Sequence, residues 1–356
     1  MKIVGRLKSF VMLAWLLSSI LFYVLSSSPV IADNQVLIGV IQYNAKGGQP
    51  HMYPKGWSSA DIINKQVTLI ADKMRENNPA PVQFVTLVQA TDPVISDEFA
   101  QLDKNPITGW NTVRGACEGG TSPNPFFEGT QIAYSPEWEL TPNSVSGMQN
   151  PLADSFTSSH CFSSGRPYNI AYFQNKKNND LKVLLIVIHP PHCSLFSGSI
   201  DELEQCKKNY DEFDNFDADV RKVTGTAKNG DLTGINTIIS GDTNELGNVG
   251  VPDNQDCPDF KGDGNVYKYF FPQFGDLSVS TIKAKQCFKP GETENGTCCQ
   301  NSSFSNYFDR VVVNRKVADP YEEIIDIAGY PLIPKAAPRN EEHKAVYAVV
   351  AFPAPK

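Results

Sequence analysis

The chain has 356 residues, a formal net charge of −8 at pH 7 and 41% hydrophobic residues. This apolar content is enough to build a large core, whereas the negative charge excludes a protein that coats nucleic acid through an overall positive field. It leaves a nuclease open, because a local basic rim and a bound cation can neutralise phosphates at a site.

Residues 1–32 have the pattern of a secretory signal peptide. Basic residues within the first eight positions precede an apolar run over residues 10–25, and small residues then lead to Ala32. The alternative is an uncleaved membrane anchor, for which the apolar run is barely long enough. We therefore expect a secreted or periplasmic monomer, with residues 33–356 as a single domain and no stable membrane span after cleavage.

The eight cysteines all follow this segment. An even number of cysteines in an exported chain indicates disulfide bonds, and a zinc site is disfavoured because the sequence contains no Cys-x-x-Cys pair. The sequence does not determine the pairing. Cys117 with Cys161 and Cys193 with Cys206 are the simple local pairings.

Apolar runs predict a series of strands with two helices. A strand over residues 36–43, an amphipathic helix over residues 61–76 and a strand over residues 82–88 give a βαβ-like beginning. Later strands are predicted over residues 130–134, 168–173, 181–188, 235–240, 310–313 and 346–352, with a second helix over residues 200–223. This order favours one α/β domain in which helices cover mixed sheets and functional loops lie at strand ends.

Polar residues that suit catalysis lie at the ends of these strands. Those that directly follow a strand are Asn44, His189, Asp242 and Asn244, and those that precede one are Asp309, Glu342 and His343. If the strands pack as two sheets, these ends can converge on one edge, where a site is expected. Taken alone, the segment Gly241-Asp242-Thr243-Asn244 is also typical of an ordinary turn after a strand.

The chemistry that these residue types suit is hydrolysis of a phosphodiester. That reaction needs a cation beside the phosphate oxygens, a base that activates water and an acid that protonates the leaving oxygen. Carboxylates and carboxamides are hard oxygen ligands for Mg²⁺ or Ca²⁺. Imidazoles supply the acid and the base near neutral pH.

The order of these segments resembles the endonuclease/exonuclease/phosphatase superfamily over nearly all of residues 33–356. The matching segments are Asn44, residues 129–134, Arg166-Pro167 before His189, Gly241-Asp242-Thr243-Asn244, residues 307–313 and Glu342-His343. Asp309-Arg310 followed by three valines is most similar to deoxyribonuclease I. The nuclease subunit of cytolethal distending toxins and the neutral sphingomyelinases are also similar. The resemblance implies an α/β (α+β) fold, a four-layer sandwich of two mixed β-sheets flanked by helices.

The resemblance also implies catalytic roles. His343 would activate water with Asp309 orienting it, and His189 would act as the general acid or would stabilise the phosphate. Glu128 matches the family's partner for His189, and His192 is an alternative partner.

Phosphate and metal binding are implied in the same way. Asp242 and Asn244 would hold the scissile phosphate or a metal-bound water, and His189 would contact the same phosphate. The implied ligands of Mg²⁺, or of Mn²⁺ or Ca²⁺ in its place, are Asn44, Asp242 and Glu342.

The chain departs from the family pattern at two positions. The family's second strand ends in Gln-Glu, and that glutamate is its main metal ligand, but Gln89-Ala90 stands here. Asp92 lies two residues beyond Ala90 and is a candidate substitute. Glu342 replaces the aspartate of the family's Asp-His pair, which lengthens the ligand by one methylene. We therefore expect the ion to bind weakly or atypically.

Three functions remain open from the sequence. The first is a secreted, metal-dependent phosphodiesterase, a deoxyribonuclease I-like endonuclease that hydrolyses nucleic acid or another phosphodiester by histidine acid–base catalysis. The second is a catalytically impaired relative that binds a phosphorylated ligand or a protein, which the missing glutamate favours. The third is a sphingomyelinase-like lipid phosphodiesterase, which shares the catalytic residues and differs in surface loops.

Overall fold

The computed structural model describes residues 30–32, 35–44, 70, 80–88, 110–115, 130–141, 168–190, 200–208, 213–243, 266–279, 298–300, 303–306, 309–314, 321–325, 343 and 345–355. Its first strands are β1 (Val30–Ala32), β2 (Gln35–Asn44), β3 (Val82–Val88), β4 (Asn111–Gly115), β5 (Thr130–Tyr134), β6 (Trp138–Leu140), β7 (Asn169–Asn175) and β8 (Lys182–Ile188). Helices α1 (Ile200–Lys208) and α2 (Phe213–Thr224), strand β9 (Thr237–Asp242) and helix α3 (Val266–Phe270) follow. The remaining strands are β10 (Ser278–Val279), β11 (Cys298–Gln300), β12 (Ser303–Asn306), β13 (Asp309–Val313), β14 (Tyr321–Ile325) and β15 (Ala345–Pro353).

These strands form two mixed sheets and a small hairpin within the described ranges. The first sheet has the order β14-β15-β2-β3-β5-β4, with β1 beside the start of β2. The second has the order β10-β13-β9-β8-β7-β6, and β11 pairs with β12. Each sheet is antiparallel except at one pair, β2 with β3 in the first and β8 with β9 in the second.

The core lies between the two sheets and on the outer face of the second one. Because side chains alternate between the faces of a strand, Leu185 of β8 packs between the sheets and Ile186 packs against the helical side. The helical side includes Phe216 of α2 and Tyr267 of α3. The expected fold class, two mixed sheets with helices packed outside, is therefore confirmed, and three of the four predicted layers lie in the described part of the chain.

Most predicted strands match the structure within two residues. The helix predicted over residues 200–223 is instead two helices, α1 and α2, and residues 209–212 between them are outside the described residues. The predicted helix over residues 61–76 also lies outside them, apart from Ile70, which is helical and buried.

The amino-terminal predictions stay predictions. Residues 1–29 are outside the described ranges, and residues 30–32, the end of the predicted signal peptide, form β1 and pair with β2. Among the helices that the structure describes, none has the length and apolar character needed to cross a membrane.

Cys206 of α1 is disulfide-bonded.

The sheet topology brings several strand ends to one edge of the sandwich. Parallel β8 and β9 end together, with Ile188 beside Gly241. Antiparallel β13 begins where β9 ends, so Asp309 pairs with Asp242. In the first sheet, antiparallel β15 begins near the end of β2.

Candidate active site

Five polar residues gather at this edge. Asn44 and Asp242 are the last residues of β2 and β9, His189 follows β8, Asp309 begins β13, and His343 lies just before β15. All five are buried, with exposed fractions between 0 and 5%. Buried polar groups are usually hydrogen-bonded, and several of these five pair with one another.

Gly241 permits the close approach of β8 and β9 beside the site. Its φ is +152°, a backbone conformation that residues with a side chain rarely adopt. A Cβ built at this position would collide with the carbonyl oxygen of Ile188. The glycine of the Gly-Asp-x-Asn segment therefore lets His189, which follows β8, and Asp242, the last residue of β9, lie side by side.

Asp309 and His343 form a hydrogen-bonded dyad. His343 Nδ1 lies 2.6 Å from Asp309 Oδ2. Because an ionised carboxylate only accepts hydrogen bonds, Nδ1 is the donor and Nε2 keeps its lone pair. The dyad therefore presents a basic nitrogen toward the other residues of the site.

The pKa of Asp309 is raised above its ordinary value of 3.8, and the largest cause is desolvation by burial. The charge of His343 and its hydrogen bond oppose this rise, the nearby Asp242 carboxylate adds to it, and the hydrogen bond from Gln42 opposes it. A buried carboxyl group of this kind is stabilised as an anion only through its partners.

Asp242 is the residue on which the other groups converge. Its Oδ2 accepts a hydrogen bond from Asn44 Nδ2 at 2.8 Å and lies 3.4 Å from His189 Nε2 and 3.7 Å from His343 Nε2. Asn44 Nδ2 is also 3.4 Å from His343 Nε2. The two imidazoles thus face the same carboxylate oxygen.

The site has donor atoms that fit a divalent cation. Asp242, Asp309 and His343 each offer one ligand atom, and these atoms all lie within 4.8 Å of one another. Asp309 Oδ2 and His343 Nδ1 are already joined by the dyad hydrogen bond, so Asp242 is the better-placed ligand, with Asn44 beside it. A carboxylate and a carboxamide oxygen are the chemistry that Mg²⁺, Mn²⁺ or Ca²⁺ prefers.

The structure brings together only part of the site expected from the sequence. His189, His343, Asp309, Asp242 and Asn44 meet as described above. Asn244, Glu128 and Glu342 lie outside the described residues, as do Gln89-Ala90 and Asp92. Their assignments stay predictions.

Sequence reasoning missed three polar residues beneath this site, Gln42, Thr86 and Ser240. All three have an exposed fraction of 0% and lie between the sheets. A signal was present, because Gln42 is two residues before Asn44 and Ser240 is two residues before Asp242. The period of two along a strand puts each pair on the same face.

Comparisons with known proteins give architectural likeness only. No model of a known protein family matches the chain, and no curated protein matches it. Among solved structures, it is similar to an endonuclease/exonuclease/phosphatase from Bacteroides vulgatus at 10% identity and a TM-score of 0.47, covering 88% of this chain and 98% of that one.

Two further structures are similar to the same extent. A protein of the endonuclease/exonuclease/phosphatase family from Leptotrichia buccalis has 11% identity and a TM-score of 0.48, covering 87% of this chain and 98% of that one. The human Nocturnin catalytic domain with bound sulfate has 12% identity and a TM-score of 0.47, covering 89% and 95%. Two of the three names carry the family that the sequence resembles, but likeness at this level fixes neither the family nor the activity of this chain.

Proposed function

We propose that this protein is a metal-dependent phosphodiesterase of the endonuclease/exonuclease/phosphatase type. The observation that carries the proposal is the pairing of two imidazoles with one carboxylate. His343, held by Asp309, and His189 both direct Nε2 toward Asp242 Oδ2. Hydrolysis of a phosphodiester requires a base that activates water and an acid that protonates the leaving oxygen. The two histidines beside Asp242 can supply both.

The dyad supplies the base. His343 Nε2 takes a proton from the attacking water, and Asp309 stabilises the imidazolium that forms, because its carboxylate already accepts the Nδ1 proton. Water oxygen bonds to phosphorus as the bond from phosphorus to the leaving oxygen breaks. His189 in its protonated form donates a proton to that leaving oxygen, so the two histidines exchange protonation states in one turnover.

A divalent cation would be held beside this machinery by Asp242 and Asn44, the candidate ligands among the described residues. When bound, such an ion neutralises charge on the phosphate oxygens. The chain needs this help, since its net charge is −8 and two carboxyl groups, Asp242 and Asp309, lie at the site.

Nucleic acid is the proposed substrate, and deoxyribonuclease I-like endonuclease activity is the specific form that the sequence resemblance favours. Export is proposed on the signal-peptide pattern of residues 1–32. Amino-terminal sequencing of protein recovered outside the producing cell checks the processing site. A mature chain that begins at Asp33 supports export, and an unprocessed chain held in the membrane contradicts it.

The test of activity uses the purified full chain with supercoiled plasmid DNA and bis(p-nitrophenyl) phosphate, across Mg²⁺, Mn²⁺ and Ca²⁺. We expect nicking and release of p-nitrophenol with at least one ion, and loss of both with EDTA. His343→Ala should lower kcat by about 100-fold or more, since a positioned general base contributes about 10²–10⁴ in rate.

Glu139→Gln serves as the matched control, because Glu139 is an exposed carboxylate in β6. This variant should keep the unsubstituted rate. Tight binding of a phosphodiester without turnover, with every ion tested, would instead favour the catalytically impaired alternative. Hydrolysis of sphingomyelin vesicles but not DNA would favour the lipid phosphodiesterase.

A further inference from the structure

We propose that Gln42, held in place by Thr86 and Ser240, is a positioning residue for the Asp309–His343 dyad. The inference rests on the proposed function for its catalytic meaning, although the geometry that it explains is present in the structure itself. None of these three residues is assigned by the sequence resemblance.

Gln42, Thr86, Ser240 and Asp309 form a polar layer between the two sheets. Each has an exposed fraction of 0%, and each comes from a different strand. Two residues away along the same four strands lie Val40, Phe84, Ile238 and Val311, all in the apolar core between the sheets. The same strands thus supply apolar side chains to the core and polar ones directly beneath the site.

Hydrogen bonds run through this layer in one direction. Thr86 Oγ1 donates to Gln42 Oε1 at 2.8 Å, closer than its 3.2 Å contact to the Ile41 carbonyl oxygen. With the Thr86 proton used in this way, Ser240 Oγ donates to Thr86 Oγ1, 2.7 Å away. Ser240 Oγ also lies 3.3 Å from Gln42 Oε1.

This arrangement fixes the orientation of the Gln42 amide. Because Oε1 faces hydroxyl donors, Nε2 faces Asp309 and donates to Oδ1 at 3.2 Å. The other oxygen of Asp309, Oδ2, accepts from His343 Nδ1. Gln42 therefore holds the carboxylate in the rotation that directs one oxygen at His343.

Burial explains why this support matters. A polar side chain in an apolar core is costly unless its hydrogen bonds are made, and Asp309 has no exposed surface through which water could replace a lost donor. Without the Gln42 amide, the carboxylate loses a buried donor that holds its Oδ2 toward His343. Small misplacements of a catalytic group can cost about 100-fold in rate.

The test compares Gln42→Met and Thr86→Val with two controls. Thr86→Ser keeps the hydroxyl. Gln83→Met removes another fully buried glutamine, which lies near the start of β3, at the end of that strand away from Thr86. Gln83 accepts hydrogen bonds from Ser135 and Trp138. The readouts are the His343 Nδ1 proton in NMR spectra of histidine-labelled protein, and kcat and KM for bis(p-nitrophenyl) phosphate.

We expect Gln42→Met to shift or broaden the His343 Nδ1 proton signal and to lower kcat by about 10- to 100-fold with KM unchanged. Thr86→Val should have the same effects in weaker form, and Thr86→Ser should restore both readouts. Gln83→Met should lower thermal stability and leave the signal and kcat in place. A merely structural role of Gln42 would make it behave like Gln83.

The proposal is overturned if Gln42→Met and Thr86→Val both keep the Nδ1 signal of the unsubstituted protein. Should Gln42→Met fail to fold, the Thr86→Val and Thr86→Ser pair decides by the same readouts. If the unsubstituted protein hydrolyses no phosphodiester, the proposed function fails, and the NMR signal alone decides whether Gln42 positions the dyad.

Discussion

Asp309 is a fully buried carboxyl group whose surroundings shift its pKa in opposite directions. Desolvation raises its pKa, and the His343 imidazole and the Gln42 amide pull it back down. The protein keeps this carboxyl group buried although its desolvation is unfavourable, and Asp309 Oδ2 lies 2.6 Å from His343 Nδ1. Residues placed at a cost to stability are a frequent sign of a functional site.

Asp309→Asn tests the raised pKa through the pH dependence of stability. Because the pKa of Asp309 is raised above 3.8, this group loses its proton at a higher pH in the folded protein than in the unfolded chain. Its stabilising contribution is therefore complete below pH 3.8 and is lost as pH rises through the raised pKa. We expect Asp309→Asn to gain stability relative to the unsubstituted protein as pH rises through this window, measured by urea unfolding at a series of pH values. A difference that stays constant with pH would contradict the raised pKa.

Asn44→Ala tests the amide that anchors Asp242. Loss of the 2.8 Å hydrogen bond leaves a buried carboxylate oxygen short of one donor, which costs about 1–3 kcal/mol. We expect a comparable loss in the free energy of unfolding together with a fall in kcat. Asn236→Ala is the control, because Asn236 donates to the Lys182 carbonyl oxygen before the start of β9. It should lose stability and keep activity, and equal activity losses in both variants would argue against a special role for Asn44.

At the scale of elements, β2 and β9 follow the same plan. Each strand carries apolar residues on its inward face and then ends in polar ones, Gln42 and Asn44 in β2 and Ser240 and Asp242 in β9. The apolar residues of each strand therefore pack in the core, while the polar side chains at its end lie at the candidate site. The carboxyl ends of strands are a common place for binding sites in mixed α/β sheets.

Gly241→Ala tests the junction between β8 and β9. The new methyl group would collide with the Ile188 carbonyl oxygen in a backbone conformation that alanine rarely adopts. We expect a loss of about 2–4 kcal/mol in the free energy of unfolding, since strain and a clash act together, and a loss of hydrolysis as His189 and Asp242 separate.

Gly234→Ala is the matched control, because a Cβ at Gly234 meets nothing within 4 Å. Urea unfolding and the phosphodiester assay are run on both variants. A Gly241 variant as stable and active as the Gly234 variant would show that the junction does not depend on glycine.

Elements also differ in how well their sequences predict them. Strong, mainly apolar runs such as those of β3 and β8 are found almost to the residue, because burial on both faces favours apolar side chains along most of the strand. Short strands of mixed composition, such as β4 and β14, were not predicted. The sequence Tyr321-Glu322-Glu323-Ile324-Ile325 has no alternation, and its pairing with β15 depends on a distant strand.

At the scale of the whole molecule, an acidic protein places two of its carboxyl groups where it is proposed to bind an anion. The net charge is −8, and Asp242 and Asp309 lie within reach of the same metal-ion position. A bound divalent cation would offset these negative charges at the proposed site. Folding and metal binding should then be linked.

Metal binding should raise the melting temperature of the unsubstituted protein. A ligand that binds only the folded state adds about 2.7 kcal/mol at a concentration 100 times its Kd. We expect Mn²⁺ or Mg²⁺ to give a concentration-dependent increase in Tm that EDTA reverses and that Asp242→Ala abolishes, measured by differential scanning calorimetry. An equal increase in Asp242→Ala would place the stabilising ion elsewhere.

The sequence by itself determined the long apolar strands, the polar residues at their ends and the type of chemistry that those residues suit. Only the tertiary structure decided which groups meet. Asp309 pairs with His343 across 34 positions, and Gln42 reaches Asp309 across 267. The physical reason is that local patterning fixes which face of a strand a residue occupies, whereas the register and packing of two sheets fix which distant side chain lies opposite. Hydrogen bonds act only over about 3 Å, so the resemblance could imply the Asp309–His343 pair, whereas its support by Gln42 could be read only from the folded chain.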